Sequence, residues 1–152
     1  MKIKRLVCDN AAVVNLDAAV DFFRGALGAK VCPEMPFAPH FGARAKGIWL
    51  GEDEPYRIEL IESINDELIM GRNVKKLAPR YFIVSLEVEN LDESIAELRA
   101  KGIRVTDKQD LSPIYGLGFD SMEEAQIHPN DACGLGIELI ELKGKVPPPE
   151  KW

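Results

Sequence analysis

The chain has 152 residues, 46% hydrophobic and 29% charged, which is the balance of an ordinary soluble domain with enough length to bury a core unaided. Its net charge of −6 carries no basic block, which argues against nucleic acid or an anionic membrane surface as the main partner. Three cysteines (Cys8, Cys32, Cys133), no signal-like start and no apolar run of about 18 residues point to a reduced, cytoplasmic protein that does not span a membrane.

In chain order, "RLVCDNAAVV" predicts a first strand. A helix follows from Asn15 as N-cap, with Leu16, Ala19, Val20, Phe23 and Leu27 as its apolar stripe and Gly28 as its stop. Three strands are expected near "AKVCPEM", "ARAKGIWLG" and "YRIELIES". The stretch "NDELIMGRNVKKLAPR" reads as a connector with one short helix. Then the plan starts again. "RYFIVSLEVE" is a strand, Asn90 opens a helix with Leu91, Ile95 and Leu98 inward, and Gly102 ends it. Strands are expected near "IRVTDKQD", "EEAQIHP" and "LGIELIEL", and "KGKVPPPEKW" is a Pro-rich tail.

The second half repeats the first. "VVNLDAAVDFFRGALGAKV" (13–31) matches "EVENLDESIAELRAKGIRV" (87–105), with Asn15 and Asn90 standing 75 residues apart. "RIELIES" matches "GIELIEL", with Glu59 and Glu138 standing 79 apart. Two matches at nearly one offset give a β-α-β-β-β unit written twice. The expected boundaries are a first module at 1–63, a connector at 64–80, a second module at 81–143 and the tail at 144–152.

These helix starts, together with the closing "IHPNDACGLGIELIEL", resemble the vicinal oxygen chelate superfamily, which holds glyoxalase I, methylmalonyl-CoA epimerase, extradiol dioxygenases and the fosfomycin and bleomycin resistance proteins. The resemblance covers about residues 5–143 and is nearest to the epimerase and glyoxalase branches. It implies an α+β fold whose two modules pair into one cupped, eight-stranded mixed sheet. It also implies a homodimer, and one divalent metal (Zn, Mn, Co or Ni) held by side chains from the first and last strands of each module. Glu59 and Glu138 match the last-strand ligand positions, while the usual histidine positions hold Cys8 and Ile83. That departure argues against a dioxygenase, which needs two histidines and a carboxylate.

Strand alternation puts Cys8, Asn10 and Ala12 on one face, and Ile83, Ser85 and Glu87 on the equivalent face. Glu62 and Glu141 lie three residues beyond Glu59 and Glu138 and so face the other way. Two carboxylates about 5 Å apart without a metal would repel by roughly 3 kcal/mol at an effective dielectric near 20. That is about two pKa units, so one would hold a proton and the two would form an acid/base pair.

The remaining candidates are quieter. Cys8, Asn10, Ser85, Trp49 and His40 are assigned to substrate binding; Cys8 reads better as a small buried hydrophobe than as a nucleophile, and Asn10 and Ser85 could orient a carbonyl. Trp49, Phe37 and Phe41 line a pocket or are plain core, and His128 is a structural strand end. "SPIYGLGFDSM" (112–122) reads as a ligand-contact loop and not as a phosphate loop, since no Gly-Lys-Ser/Thr follows. Two functions stay open. One is an epimerase, isomerase or lyase acting on a small oxygenated substrate through Glu59 and Glu138. The other is a metal-free binding protein of the bleomycin-resistance kind.

Overall fold

The computed structural model describes residues 1–36, 38–49, 57–111 and 121–143. Phe37, most of the 112–122 loop and the tail lie outside them. Among the described residues the chain divides into two compact units, one holding Cys8–Phe82 and the other Met1–Val7 with residues 83–143.

The first unit contains most of β1 (Ile3–Val13), then α1 (Leu16–Leu27), β2 (Lys30–Glu34), β3 (Ala43–Trp49), β4 (Arg57–Ser63) and α2 (Ile69–Leu77). Its strands run in the order β2-β3-β4-β1, with β1 parallel to β4 and the other pairs antiparallel. Asn15 caps α1 as its sequence position predicts, its Oδ1 accepting from Ala18 N–H at 2.8 Å. Gly28 closes the helix with φ 64°, a left-handed conformation that glycine adopts without steric cost. Leu16 and Val20 are buried against Ala11, Ile48, Ile58 and Leu60, with Ala19 and Phe23 packed alongside. The stripe ends there. Leu27, the last residue of the helix, is exposed.

A 3-10 turn at Ala38–Phe41 leads into β3, in place of a plain loop. Beyond β4 the backbone packs tightly on α2. A Cβ on Gly71 would lie 2.0 Å from the Asn65 carbonyl oxygen and 2.5 Å from that of Gly42, so only glycine fits there.

The second unit contains the start of β1, then β5 (Arg80–Val88, from Ile83 on), α3 (Leu91–Ala100), β6 (Gln109–Asp110), β7 (Ser121–Ile127) and β8 (Gly136–Lys143). Its order is β1-β5-β8-β7-β6, with β5 parallel to β8. Since β1 is common to both units, the strands form one mixed eight-stranded sheet, and the fold is α+β. Asn90 caps α3 through Glu93 N–H at 3.0 Å, and Leu91, Ile95 and Leu98 bury against Val88, Val105, Ala125 and Leu139.

One expected strand is much reduced. "IRVTDKQD" gives only a bridge from Val105 to Ile127 and the two residues of β6. The reason is local: the Arg99 guanidinium takes the Val105 and Thr106 carbonyls at 2.9 and 3.0 Å, which removes them from a ladder.

Candidate functional site

Each sheet half has one face covered by its helix and one opposite face, and the candidate residues stand on the opposite face. In the first unit, Ala11, Ile58 and Leu60 belong to the helix-side core, which turns Cys8, Asn10, Arg57 and Glu59 the other way. The register sets Asn10 opposite Glu59 on β1, and Gly47 opposite Glu59 on β3. Cys8 and Trp49 stand opposite Arg57. In the second unit the same logic turns Ser85, Glu87, Glu138 and Gln126 away from α3. Ser85 is opposite Glu138 on β5, and Gln126 is opposite it on β7.

The surroundings of the two glutamates differ. Glu59 is buried, and its Oε1 lies 2.7 Å from Nη2 of Arg57, whose side chain is 4% exposed. Sequence reasoning passed over Arg57; the signal was its spacing of two from Glu59, which puts both on one strand face. Gly47 stands beside it and leaves room for Cys32, whose Sγ a Cβ would meet at 2.8 Å, while Arg57 Cδ would be in ordinary contact at 3.6 Å. Burial pushes the Cys32 thiol up to about 12, against the opposing pull of the Arg57 charge. Cys32 is therefore a neutral neighbour of the Arg57–Glu59 pair and no nucleophile.

Glu138 is half-buried and accepts a 2.6 Å hydrogen bond from the Ser85 hydroxyl. Ser85 is fully buried. Where Glu59 has Arg57 two residues earlier, Glu138 has Gly136. Two residues along β5, Glu87 is buried and bonded by Lys4 Nζ and by Arg5 Nε, the latter at 2.6 Å. Burial pushes the Glu87 carboxyl up, but the two basic partners more than offset this and hold it below the usual carboxylate range.

Glu62 and Glu141, the second glutamates of the repeated strand, have a structural duty. They reach the helix side and accept from the first-turn N–H groups of Leu16, at 3.3 Å, and Leu91, at 2.7 Å. Each β-strand thus closes the open N-terminus of its own module's helix with a carboxylate.

Of the other candidates, Cys8 is buried, with the Asn10 amide 3.9 Å from its sulfur. Trp49 is buried beside Cys32, and Phe41 is half-buried. His40 is exposed on the 3-10 turn. His128 caps a short 3-10 turn, its Nδ1 accepting from Asn130 N–H at 3.2 Å, a structural role.

Members of the superfamily often hold a divalent metal, and the donors here do not fit one. Ile83 has no donor atom, and the Glu59 carboxylate already faces a buried guanidinium. Among the described residues no three His, Cys, Asp or Glu side chains group closely enough to hold an ion.

The comparisons with known proteins agree with this architecture. A family model described as the Glyoxalase/Bleomycin resistance protein/Dioxygenase superfamily matches residues 10–115. The mitochondrial methylmalonyl-CoA epimerase of Mus musculus is 30% identical over 139 residues, which are 91% of this chain and 73% of that protein. The crystal structure of methylmalonyl-CoA epimerase from Mycobacterium tuberculosis superposes with a TM-score of 0.76 at 24% identity, over 91% of this chain and 88% of that one. A Streptomyces coelicolor methylmalonyl-CoA epimerase variant in complex with 2-nitronate-propionyl-CoA gives 0.76 at 20% identity, over 92% and 98%. An enzyme of the isomerase or epimerase type, expected from the sequence, agrees with these relatives. The repeated module, the register of its strands and the family match lead to one conclusion: the chain belongs to the glyoxalase, bleomycin resistance protein and dioxygenase superfamily, also called the vicinal oxygen chelate superfamily.

Proposed function

We propose that this chain is an epimerase acting on a coenzyme A thioester with an exchangeable proton beside the carbonyl, and that Glu59 and Glu138 are its acid/base carboxylates. The observation that carries the reading is the matched placement of the two glutamates. Each stands on the sheet face opposite its helix, at the same register, with a polar first-strand residue across from it: Asn10 for Glu59 and Ser85 for Glu138. The substrate class is taken from the relatives, which are methylmalonyl-CoA epimerases.

The chemistry asks little beyond two such groups. One carboxylate takes the proton from the carbon next to the thioester carbonyl, and the C–H electron pair moves onto the carbonyl oxygen as an enolate. The other carboxyl, protonated, returns a proton to the opposite face of that carbon, which inverts it with no net oxidation. Asn10 and Ser85 would orient the carbonyl or carboxylate of the substrate, Cys8 and Trp49 would line the acyl end, and His40 would touch the ligand from the 3-10 turn. A lyase would begin with the same proton removal and end by losing a neighbouring group. No step is routed through a metal, because the donor set does not fit one.

A cytoplasmic homodimer belongs to the same reading. The compartment is supported by three free cysteines, Cys8 and Cys32 buried and Cys133 exposed, as a reducing environment keeps them. Among the described residues no helix is long and apolar enough to cross a membrane.

The buried Arg57–Glu59 pair favours a second reading, a binding protein whose first-module acid serves structure only. One experiment separates the two. The protein is incubated with methylmalonyl-CoA in D2O and deuterium entry at the acyl carbon is followed by NMR. Exchange that falls at least about 100-fold in both Glu59→Gln and Glu138→Gln is the expected result. Tight binding with no exchange by the unaltered protein would leave the binding reading.

A further inference from the structure

We propose that Arg57 is the resident cation of the first module: its guanidinium stands at Glu59 where the superfamily uses a divalent metal, and this chain works without one. The inference rests on the reading that Glu59 belongs to the working face, and it is tested separately from turnover.

Four observations converge on it. The pair is close, 2.7 Å between Nη2 and Oε1, with 4% and 9% of the two side chains exposed, so the charges answer each other largely out of water. The surroundings are tight. Gly47 leaves space for Cys32 Sγ, which a Cβ would meet at 2.8 Å, a Cβ there would also touch Arg57 Cδ at 3.6 Å, and Trp49 stands opposite Arg57 in the ladder. The other donors a metal would need are missing or changed, with Cys8 and Ile83 at the first-strand positions. Finally, the arginine is particular to the first module: Gly136 occupies its position in the second.

A divalent ion brought to Glu59 would meet a like charge at hydrogen-bond distance, in a place with little water to screen it. The guanidinium also differs from a metal in what it offers. It is planar and permanently charged, so it holds the carboxylate by charge without accepting an electron pair.

The test uses the full chain, purified without tag or chelator. Elemental analysis and calorimetric titration with Zn, Mn, Co and Ni chlorides should find no tightly held ion, and chelator should leave deuterium exchange unchanged. About one metal per chain, lost in Glu59→Gln, would overturn the proposal. So would exchange that depends on added metal. Thermal melting supplies a second readout. Arg57→Gln should lower the melting temperature by roughly 10 °C, and Arg57→Gln with Glu59→Gln should recover more than half of that loss. Additive losses would overturn the pair as a coupled unit, and if the single variant does not fold, the metal measurements on the unaltered chain still decide. A protein that takes no metal and also catalyses no exchange would sink the epimerase reading alone.

Discussion

In the first half of the molecule Glu59 faces a glycine across β3 and holds a buried arginine; in the second, Glu138 faces Gln126 across β7 and holds a serine hydroxyl. The backbone plan, the asparagine caps and the carboxylates under the helices are the same in both. Duplication has kept the parts that make a module fold and let go of the parts that set the polarity of its open face. Position 12 is alanine and its counterpart, 87, is a buried glutamate tied to Lys4 and Arg5. Each half has therefore acquired one buried acid with a basic partner, but at different places on the repeat.

Four measurements would break or sharpen that comparison. The largest effect is expected in catalysis. Glu138→Gln and Glu59→Gln should each reduce deuterium exchange by at least about 100-fold, and a loss confined to one of them would make the halves unequal in chemistry as well as in surroundings.

Next comes Glu87, which has no acidic counterpart in the first half. Glu87→Gln should cost about 2 kcal/mol in urea unfolding at neutral pH, since a buried acceptor of two charged donors is weakened. The carboxyl is held below its ordinary value in the folded state, so its contribution is full above the ordinary value of about 4.3 and is lost as pH falls through the lower folded value. The variant should thus unfold in acid with a shallower dependence on pH than the parent. An equally steep acid limb would remove Glu87 as its source.

Smaller again are the carboxylates under the helices. Glu141→Ala should cost about 1–2 kcal/mol and Glu62→Ala less, because the Leu91 N–H is 2.7 Å from its acceptor and the Leu16 N–H 3.3 Å. The reverse order in thermal or urea unfolding would contradict the geometry. Least divergent are the caps. Asn15→Ala and Asn90→Ala should each cost about 1 kcal/mol, alike within error, as the two bonds are 2.8 and 3.0 Å.

Much of the fold is legible in the residues because it is carried by local signals. Asn before an apolar stripe and Gly after it mark both long helices, and the offset between Glu59 and Glu138 exposes the duplication. What fails to show is whatever depends on a partner distant in sequence. The weak β6 is a different case, a near partner whose reach no pattern announces: the carbonyls of Val105 and Thr106 go to the side chain of Arg99, six and seven residues earlier. Glu62 and Glu141 are the distant case. Their direction away from Glu59 and Glu138 follows from the pleat, but their acceptance of a helix N–H needs the helix in place 46 or 50 residues earlier in the chain. Arg57 lies between these cases: its face is readable from spacing, its burial only from Gly47 and Cys32 closing around it.

The division of β1 between the two units bears on how the chain is made. Lys4 and Arg5 are made early, and their partner Glu87 follows more than eighty residues later. At ordinary elongation rates the wait is on the order of 4 to 16 seconds. The opening residues thus emerge early and dock late, so a nascent chain stalled before β5 would present Ile3–Val7 as an unpaired strand end, a target for chaperones or for another copy. Trimming those few residues should harm the unit that begins at Ile83, far from them in the chain.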